Sequence, residues 1–413
     1  MNESPVGVVG AGTMGAGIAE AAARAGATVR LHDAVPAALS RGRERIERSL
    51  RRSVERGSLP EDEAKAVLAR LEPVEALDAL RGCELVIEAV PEERALKVDL
   101  FGRLDEACPP PAVLATNTSS LSVTALGAAV ADPGRVVGMH FFNPAPVMRL
   151  VEVVAGAASR EEALVRAEAL VQRMGKTPVR ASDTPGFIVN RVARPFYGEA
   201  LRLVGEGLAS VDTVDETMRQ VGFRMGPFEL MDLIGIDVNF ATTRSVWEAM
   251  FHEPRYRPHS IQQRLVDAGR LGRKTGRGFY GYDEDGRRLD PSPGIVPIPR
   301  PGVSALPPGS DAPRAAATRL SLSDETVEDG RAAVATRMLA MLVNEAVFAA
   351  DDGVATREGI DAALRLGVNH PRGPFEWLEA LGPDLVLAVM DSLSSWYREE
   401  RYRPAPGLRL FTH

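Results

Sequence analysis

Short apolar runs alternate with longer amphipathic stretches in the first part of this chain. The apolar runs include VGVV, ATVRLHD, ELVIEAV, AVLATN, RVVGMH and RLVEVV, and helical patterning occupies residues 13–25, 36–56 and 94–107. Strands rich in Val, Ile and Leu that are separated by helices are typical of βαβ units, in which helices cover both faces of a mostly parallel sheet. From residue 184 the apolar residues follow helical spacing instead. The sequence therefore predicts an α/β domain followed by helical structure.

A glycine-rich turn, GAGTMG, follows the first apolar run and opens a helix-like segment. Its G-x-G-x-x-G spacing in this context is typical of the phosphate-binding turn of a Rossmann-like domain. The first glycine allows the tight turn, the second lets the backbone approach a pyrophosphate, and the third lets helix and strand pack closely. The alternative is a turn that only permits packing. The predicted dinucleotide contacts here are Gly10, Gly12, Thr13, Met14 and Gly15.

Asp33 ends the second apolar run, eighteen residues beyond Gly15. An acidic side chain at this place hydrogen-bonds an adenosine ribose and repels a 2′-phosphate. We therefore expect NAD rather than NADP as the cofactor.

The helical part of the sequence contains an internal repeat. Three residues recur at an offset of 146, and the tetrapeptide GPFE at 226–229 recurs at 373–376. Between the copies, residues 283–320 are dense in Pro, Gly and Asp, which predicts a linker without regular structure. The predicted domains are therefore 1–183, 184–282 and 321–413, with 283–320 as the linker. The recurring pairs are Glu199 and Glu345, Gly207 and Gly353, and Asp215 and Asp361.

Composition excludes several classes of protein. With 413 residues, 45% of them hydrophobic and 25% charged, the chain is long enough for two or three packed domains and is not disordered. A net charge of −7 argues against nucleic-acid binding, and no run reaches the ~18 consecutive apolar residues of a membrane span. Two isolated cysteines and six histidines without zinc-ligand spacing predict no metal site. We expect a soluble, cytoplasmic protein.

Three polar residues are candidates for chemistry at the sheet and beside it. His140 closes the apolar run RVVGMH, so it is expected at the carboxyl end of a strand, where doubly wound sheets bind ligands. Glu152 lies in another apolar run, where a carboxylate needs a partner, and an imidazolium would supply one. This pair would form a general base. Alternatively, His140 is a core histidine and Glu152 a surface acid.

Asn190 lies near the start of the first helix after the α/β domain. It could bind a substrate oxygen, or it could be an ordinary residue of the helix start.

The second helical stretch carries an arginine stripe opposite its apolar side. A solvated surface and a landing site for a phosphorylated carrier both remain open, since guanidinium groups suit phosphate oxygens. The stripe consists of Arg41, Arg45, Arg48, Arg52 and Arg56.

Several motifs occur together in one order. They are NTSSLSVT at 117–124, HFFNPAPVMRLVEVV at 140–154, DTPGFIVNR at 183–191, MGPFELMDLIG at 225–235 and KTGRGFYGY at 274–282. From about residue 5 to residue 282 the chain resembles the L-3-hydroxyacyl-CoA dehydrogenases. The C-terminal repeat resembles the duplicated module of longer 3-hydroxybutyryl-CoA dehydrogenases.

The resemblance implies NAD-dependent oxidation of an L-3-hydroxyacyl-CoA to the 3-ketoacyl-CoA in acyl-CoA catabolism. It implies that the histidine is the base, that the glutamate pairs with it, and that a serine and an asparagine position the reacting oxygen. The catalytic residues are then His140, Glu152, Ser119 and Asn190. Beyond the glycine-rich turn and Asp33, the cofactor contacts are Glu92, Lys97, Ser119, Asn143 and Lys274. The coenzyme A contacts are Ser49, Arg56 and Ser119, with an arginine at 56 where relatives carry lysine.

The second repeat departs from the motif. At an offset of 146, Asn190 corresponds to Thr336, and no DTPGF precedes it, so 321–413 is interpreted as a packing copy without an active site. By resemblance, this copy supplies within one chain much of the interface that short relatives form between subunits, and a further homodimer stays open. Two alternatives remain: a gulonate-type sugar-acid dehydrogenase and a non-catalytic dinucleotide-binding protein.

Overall fold

The computed structural model describes residues 4–292, 294, 296–297, 299–300 and 302–412. The chain forms two compact units, of which the first ends at Phe187 and the second begins at Ile188. The predicted domains 184–282 and 321–413 and the linker between them fall almost wholly in the second unit.

An eight-stranded sheet forms the centre of the first unit, in the order β3-β2-β1-β4-β5-β6-β7-β8. All neighbouring strands pair in parallel except β6 and β7, which pair antiparallel. The first six strands have the order of the Rossmann fold, so the predicted fold class is confirmed. The strands are β1 (Val6–Val9), β2 (Val29–His32), β3 (Leu71–Val74), β4 (Leu85–Glu88), β5 (Val113–Thr116), β6 (Val136–Phe141), β7 (Leu150–Ala155) and β8 (Thr177–Ser182).

Helices accompany this sheet, as the apolar strand sequences require. The central strands β1, β4 and β5 are buried at every position, which fits a sheet covered on both faces. In the second helix the apolar residues Leu39, Ile46 and Leu50 are buried while the arginine stripe is exposed. The helices are α1 (Thr13–Arg24), α2 (Pro36–Glu55), α3 (Glu61–Ala69), α4 (Arg94–Ala107), α5 (Val123–Gly127) and α6 (Glu161–Arg173).

Where the structure describes it, the second unit consists of helices, connecting segments and one small hairpin. Its first half contains α7 (Val189–Val192), α8 (Arg194–Gly205), α9 (Val211–Gln220), α10 (Pro227–Ile234), α11 (Ile236–Ala249) and α12 (Ser260–Asp267), followed by β9 (Tyr280–Tyr282) and β10 (Arg288–Pro291). Its second half contains α13 (Ala312–Leu320), α14 (Asp324–Glu328), α15 (Arg331–Asp351), α16 (Arg357–Gly367), α17 (Pro374–Leu381) and α18 (Pro383–Tyr397).

The expectation that 283–320 lacks regular structure was wrong at two places. Arg288–Pro291 pairs antiparallel with β9, so a neighbouring strand supplies hydrogen bonds that the local sequence does not predict. Ala312–Leu320 is a helix in which Pro313 occupies the first turn, where its missing N–H costs nothing. Pro293, Ile295, Ile298 and Pro301 of the predicted linker lie outside the described residues.

The long helix α15 has the length and composition of a membrane-spanning helix, yet its apolar window is entirely buried inside the protein. It packs against α8, α9, α17 and α18, which makes it the central helix of the second unit. Burial on all sides explains why most of its residues are apolar, and the helix is consistent with a soluble protein.

Candidate active site

The glycine-rich turn lies between β1 and α1 and has the geometry expected of a phosphate-binding turn. Gly10 has φ +102°, and a Cβ there would lie 2.6 Å from the Ala89 carbonyl oxygen. A Cβ on Gly15 would lie 1.7 Å from the Gly10 carbonyl oxygen, whereas one on Gly12 would meet nothing within 4 Å. No side chain caps α1 at Gly12, so the helix N–H groups remain available to an anion.

A cavity of about 600 Å³ opens beside this turn and is walled by α2 and α4. Asp33 lines it, and its carboxylate accepts hydrogen bonds from the backbone N–H groups of Ala11 (2.8 Å) and Val35 (2.9 Å). These bonds hold the acid beside the glycine turn, where a ribose would lie. Arg41 and Arg45 of the stripe line the same cavity. Turn, acid and cavity together fit a bound dinucleotide.

A buried lysine lies between two glutamates at the neighbouring strand end. Lys97 is 1% exposed, and its Nζ lies 3.1 Å from Glu88 Oε1 and 2.7 Å from Glu92 Oε2. Burial raises the pKa of Glu92. The charge of Lys97 and hydrogen bonds from Thr118 and Ser119 outweigh this effect and lower the pKa to about 2. Glu92 is therefore a carboxylate that fixes the adjacent loop, and Lys97 neutralises it.

The loop of the NTSS motif, residues 117–120, is held from two sides. Glu92 Oε1 accepts hydrogen bonds from the backbone N–H groups of Ser119 (3.0 Å) and Ser120 (3.2 Å). Asp183 accepts from the backbone N–H groups at the start of α5, directly after the motif. Asn117 Oδ1 accepts from Phe141 N at 2.9 Å and ties the loop to β6. The half-exposed Ser119 is thereby placed on a loop tied to the strand of His140.

His140 and Glu152 are brought together by the antiparallel pairing of β6 and β7, in which they are directly opposite. The His140 Nδ1 lies 2.6 Å from Glu152 Oε2, and Glu152 is fully buried. Phe142 and Phe187 pack on the imidazole with ring centroids 4.5 and 5.8 Å away. A buried carboxylate beside Nδ1 makes that nitrogen the donor and leaves Nε2 as the acceptor. The alternative of a surface glutamate is wrong.

The other predicted residues of this unit differ in their surroundings. Ser49 on α2 is half-buried, and its hydroxyl donates to Glu20 Oε1 at 3.0 Å. Arg56 is exposed and follows the last residue of α2, while Asn143 is exposed after β6. These positions leave Arg56 and Asn143 accessible to a ligand, and give Ser49 a bond within the protein.

Two predicted residues belong to the second unit. Asn190 lies half-buried on the one-turn helix α7. Lys274 Nζ donates to both carboxylate oxygens of Asp237, at 2.6 and 2.7 Å. Among the residues that the structure describes, no cluster of His, Cys, Asp or Glu could hold a metal ion.

Three residues that shape the site were not predicted from the sequence. Glu88 ends β4 and contacts Lys97, and Asp183 anchors the start of α5 after the NTSS loop. Lys176 donates to the carbonyl oxygens of Ala145 and Met148 in the loop after His140. Asp183 lay within a recognised motif, which was a usable signal. The contacts of Glu88 and Lys176 depend on residues far away in sequence, and no local pattern predicts them.

Family models match almost all of these elements. The model of the 3-hydroxyacyl-CoA dehydrogenase NAD binding domain matches residues 5–184, and that of the 3-hydroxyacyl-CoA dehydrogenase C-terminal domain matches residues 186–282 and again 334–412. The chain belongs to the 3-hydroxyacyl-CoA dehydrogenase family. The predicted family, NAD as cofactor and the oxidoreductase class are thereby confirmed.

Individual relatives agree with this membership. A 3-hydroxyadipyl-CoA dehydrogenase of Escherichia coli K12 is 42% identical across 99% of this chain and 97% of its own length. A probable 3-hydroxybutyryl-CoA dehydrogenase of Bacillus subtilis is 44% identical over 67% of this chain and 96% of its own length. A crystal structure of 3-hydroxybutyryl-CoA dehydrogenase from E. coli K12 covers 99% of this chain and 98% of its own, with a TM-score of 0.86 and 39% identity. These comparisons favour a 3-hydroxyacyl-CoA dehydrogenase over the sugar-acid and non-catalytic alternatives.

Proposed function

We propose that this protein catalyses the reversible oxidation of an L-3-hydroxyacyl-CoA to the 3-ketoacyl-CoA with His140 as the general base. The observation that carries the proposal is the 2.6 Å contact between His140 Nδ1 and the fully buried Glu152. A base of this kind suits the removal of a hydroxyl proton as the C3–H bond breaks.

The chain's own residues perform the proton transfer. Nδ1 of His140 donates to Glu152, so the lone pair of Nε2 accepts the proton of the substrate hydroxyl group. The imidazolium that results is stabilised by the adjacent carboxylate, because opposite charges attract strongly where water is excluded. NAD, when bound, supplies the acceptor for the hydride that leaves C3. In the reverse direction the imidazolium returns the proton to the carbonyl oxygen.

Binding and positioning are assigned to the remaining candidates. Ser119 and Asn190 hydrogen-bond the reacting oxygen, and Arg56, with Ser49, contacts the phosphates of coenzyme A. The residues that would hold NAD are Gly10, Gly12, Thr13, Met14, Gly15, Asp33, Glu92, Lys97, Ser119, Asn143 and Lys274. The glycine turn and Asp33 support this assignment most directly, because they line one cavity.

The acyl group belongs to a class with two named examples among the relatives, hydroxybutyryl and hydroxyadipyl. Turnover of butyryl, longer-chain and adipyl derivatives would distinguish between them. We further propose that residues 184–282 and 321–413 are homologous helical domains, which the two matches of one family model support. On this view the repeat replaces part of a subunit interface, and the enzyme acts in the cytoplasm.

The proposal is tested with His140→Gln, measured by NADH oxidation with acetoacetyl-CoA. We expect kcat to fall by about 10²–10⁴-fold, the usual contribution of a positioned base, with NADH affinity by fluorescence titration unchanged. The exposed His252 offers a matched control, since His252→Gln should keep full activity. Near-native turnover of His140→Gln would refute the assignment.

A further inference from the structure

The helix that carries Asn190 is too short to define its own position. Helix α7 has four residues, and its last turn is closed by the bonds from Val192 N to Ile188 O and from Ala193 N to Val189 O. A single turn gains little stability from its own hydrogen bonds, so tertiary contacts determine where it lies. Its largest buried side chain is that of Arg191, directly beside Asn190.

Arg191 is held by acidic residues from the second half of the same unit. Its Nε donates to Glu345 Oε1 at 2.9 Å and its Nη2 to Asp352 Oδ2 at 2.5 Å. The Arg191 and Glu345 side chains are 2% and 1% exposed. Tyr256 donates its hydroxyl to Glu345 Oε1 at 2.5 Å, and Arg255 Nε lies 3.2 Å from the other oxygen. Charge-assisted bonds in this dry environment are strong and directional, so they fix the guanidinium group.

A second copy of this cluster lies at an offset of 146 residues. Arg337 Nε donates to Glu199 Oε1 at 2.6 Å, and Tyr402 donates to the same oxygen at 2.8 Å. Arg337 Nη2 also lies 3.4 Å from Glu206, the counterpart of Asp352. The residue beside Arg337 is Thr336, whose buried hydroxyl donates to the Ala332 carbonyl oxygen at 2.6 Å. The two clusters match, but the residue that precedes the arginine is an asparagine in the first and a threonine in the second.

We propose that Glu345 is a positioning residue for catalysis: through Arg191 it sets the position of α7 and so of the Asn190 amide. The inference rests on the proposed role of Asn190 in binding the substrate oxygen. It gives the second half of the helical unit a part in the reaction, although that half has no counterpart of the asparagine.

The test compares Glu345→Gln with the matched control Glu199→Gln, since each removes one buried charge from an Arg–Tyr cluster. For Glu345→Gln we expect kcat with acetoacetyl-CoA to fall by about 10-fold, because small displacements of positioning groups are costly in rate. KM and NADH affinity should stay within about twofold, since the contact acts on the reacting oxygen. Glu199→Gln should lower Tm by about as much as Glu345→Gln does, but it should leave kcat unchanged. Equal effects of both variants on kcat would overturn the proposal.

A milder pair keeps the test decisive if a buried glutamine prevents folding. Asp352→Asn and Glu206→Gln remove the second carboxylate of each cluster, and the Asp352 side chain is 54% exposed. Asp352→Asn should lower kcat by about threefold by loosening Arg191, whereas Glu206→Gln should not. Identical kcat values for the two would overturn the proposal.

A double variant separates this inference from the proposed function. Asn190→Ala should lower kcat strongly, and adding Glu345→Gln should lower it no further, because both changes act through one amide. Full activity of Asn190→Ala would refute the role of Asn190 and the inference with it. A multiplicative loss in the double variant would leave that role intact and refute only the action of Glu345 through it.

Discussion

The two halves of the helical unit share the contacts that hold helices in place and differ where chemistry is proposed. Asp215 accepts hydrogen bonds from the backbone N–H groups of Phe228 and Glu229 at the start of α10. Asp361 does the same for Phe375 and Glu376 at the start of α17. The shared positions are structural while Asn190 corresponds to Thr336, which supports the proposal of a scaffold used twice and a site used once.

A second difference lies three residues before each GPFE tetrapeptide. The first half has Phe223 there and the second has His370, and the two rings pack edge to face with centroids 4.9 Å apart. His370 is buried, its Nδ1 has no hydrogen-bond partner among the described atoms, and burial lowers its pKa to about 3. The second half therefore has a titratable side chain, His370, buried among apolar residues, whereas the first half has Phe223 at the corresponding position.

The largest expected effect would break the equivalence of the two halves. Asn190→Thr, which makes the first half resemble the second, should lower kcat by about 10²-fold through loss of a donor to the reacting oxygen. Thr336→Val at the corresponding place should keep kcat within about twofold. Steady-state kinetics with acetoacetyl-CoA and NADH measure both, and a comparable loss in Thr336→Val would contradict the assignment of chemistry to one half.

The next effect tests whether Asp215 and Asp361 have equivalent structural roles in the two halves. Asp215→Ala and Asp361→Ala each leave buried backbone N–H groups without acceptors, which should lower the free energy of unfolding by about 1–3 kcal/mol. Asp215→Ala should cost more, because Asp215 also accepts the Tyr280 hydroxyl at 2.9 Å. Urea unfolding measures the difference, and a larger loss for Asp361→Ala would argue against equivalent roles.

The third effect depends on pH. The unfolded chain takes up a proton on His370 below about pH 6.5 while the folded protein keeps it neutral down to about pH 3, so this residue destabilises the fold as the pH falls. Wild-type protein should lose unfolding free energy between pH 7.5 and pH 5. His370→Phe, which places the side chain of Phe223 at this position, should reduce that loss by about 2 kcal/mol. A cavity of about 210 Å³ beside His370 provides room for the larger ring. If the free energy of unfolding depends on pH in the same way in the variant and the wild type, His370 is not the group that destabilises the fold at low pH.

The smallest effect concerns two matching helix caps. Ser210 accepts a hydrogen bond from Thr213 N at the start of α9, and Thr356 accepts one from Gly359 N at the start of α16. Ser210→Ala and Thr356→Ala should each cost about 1 kcal/mol of unfolding free energy, without a change in kcat. Thermal unfolding of the pair measures whether the costs agree, and a clear disparity would mean that tertiary contacts, and not the caps, secure one helix.

Sequence reasoning predicted most of the fold that positions the site. The strands rich in Val and Ile, the glycine turn and Asp33 follow local patterns, and all of them lie where expected. Strand β3 was missed because its four residues, LEPV, form no continuous apolar run and include a proline, which is unusual inside a strand. Helix α13 and strand β10 were missed because neighbouring elements stabilise them in a segment rich in Pro and Gly.

The candidate site was only partly predictable, for a related reason. His140 and Glu152 could be proposed as partners because apolar strands isolate them from other charges, and the antiparallel register of β6 and β7 places them opposite one another. The linkage of Lys97 to Glu88 and of Asp183 to the start of α5 depends on tertiary contacts between residues close only in space. The ion pairs of Arg191 and Arg337 join helices far apart in sequence, so the repeat marked the two glutamates as equivalent but did not predict their partners.

The reciprocal arginine–glutamate pairs connect two segments of one polypeptide, and this has a consequence for how the protein can change. In a symmetric pair of identical chains every substitution appears on both sides of the shared surface, whereas here each side can vary alone. The tether also keeps the two sides at a high effective concentration, so dilution cannot separate them. One side can thus carry Thr336 and His370 where the other carries Asn190 and Phe223, although a symmetric pair would have the same residues on both sides.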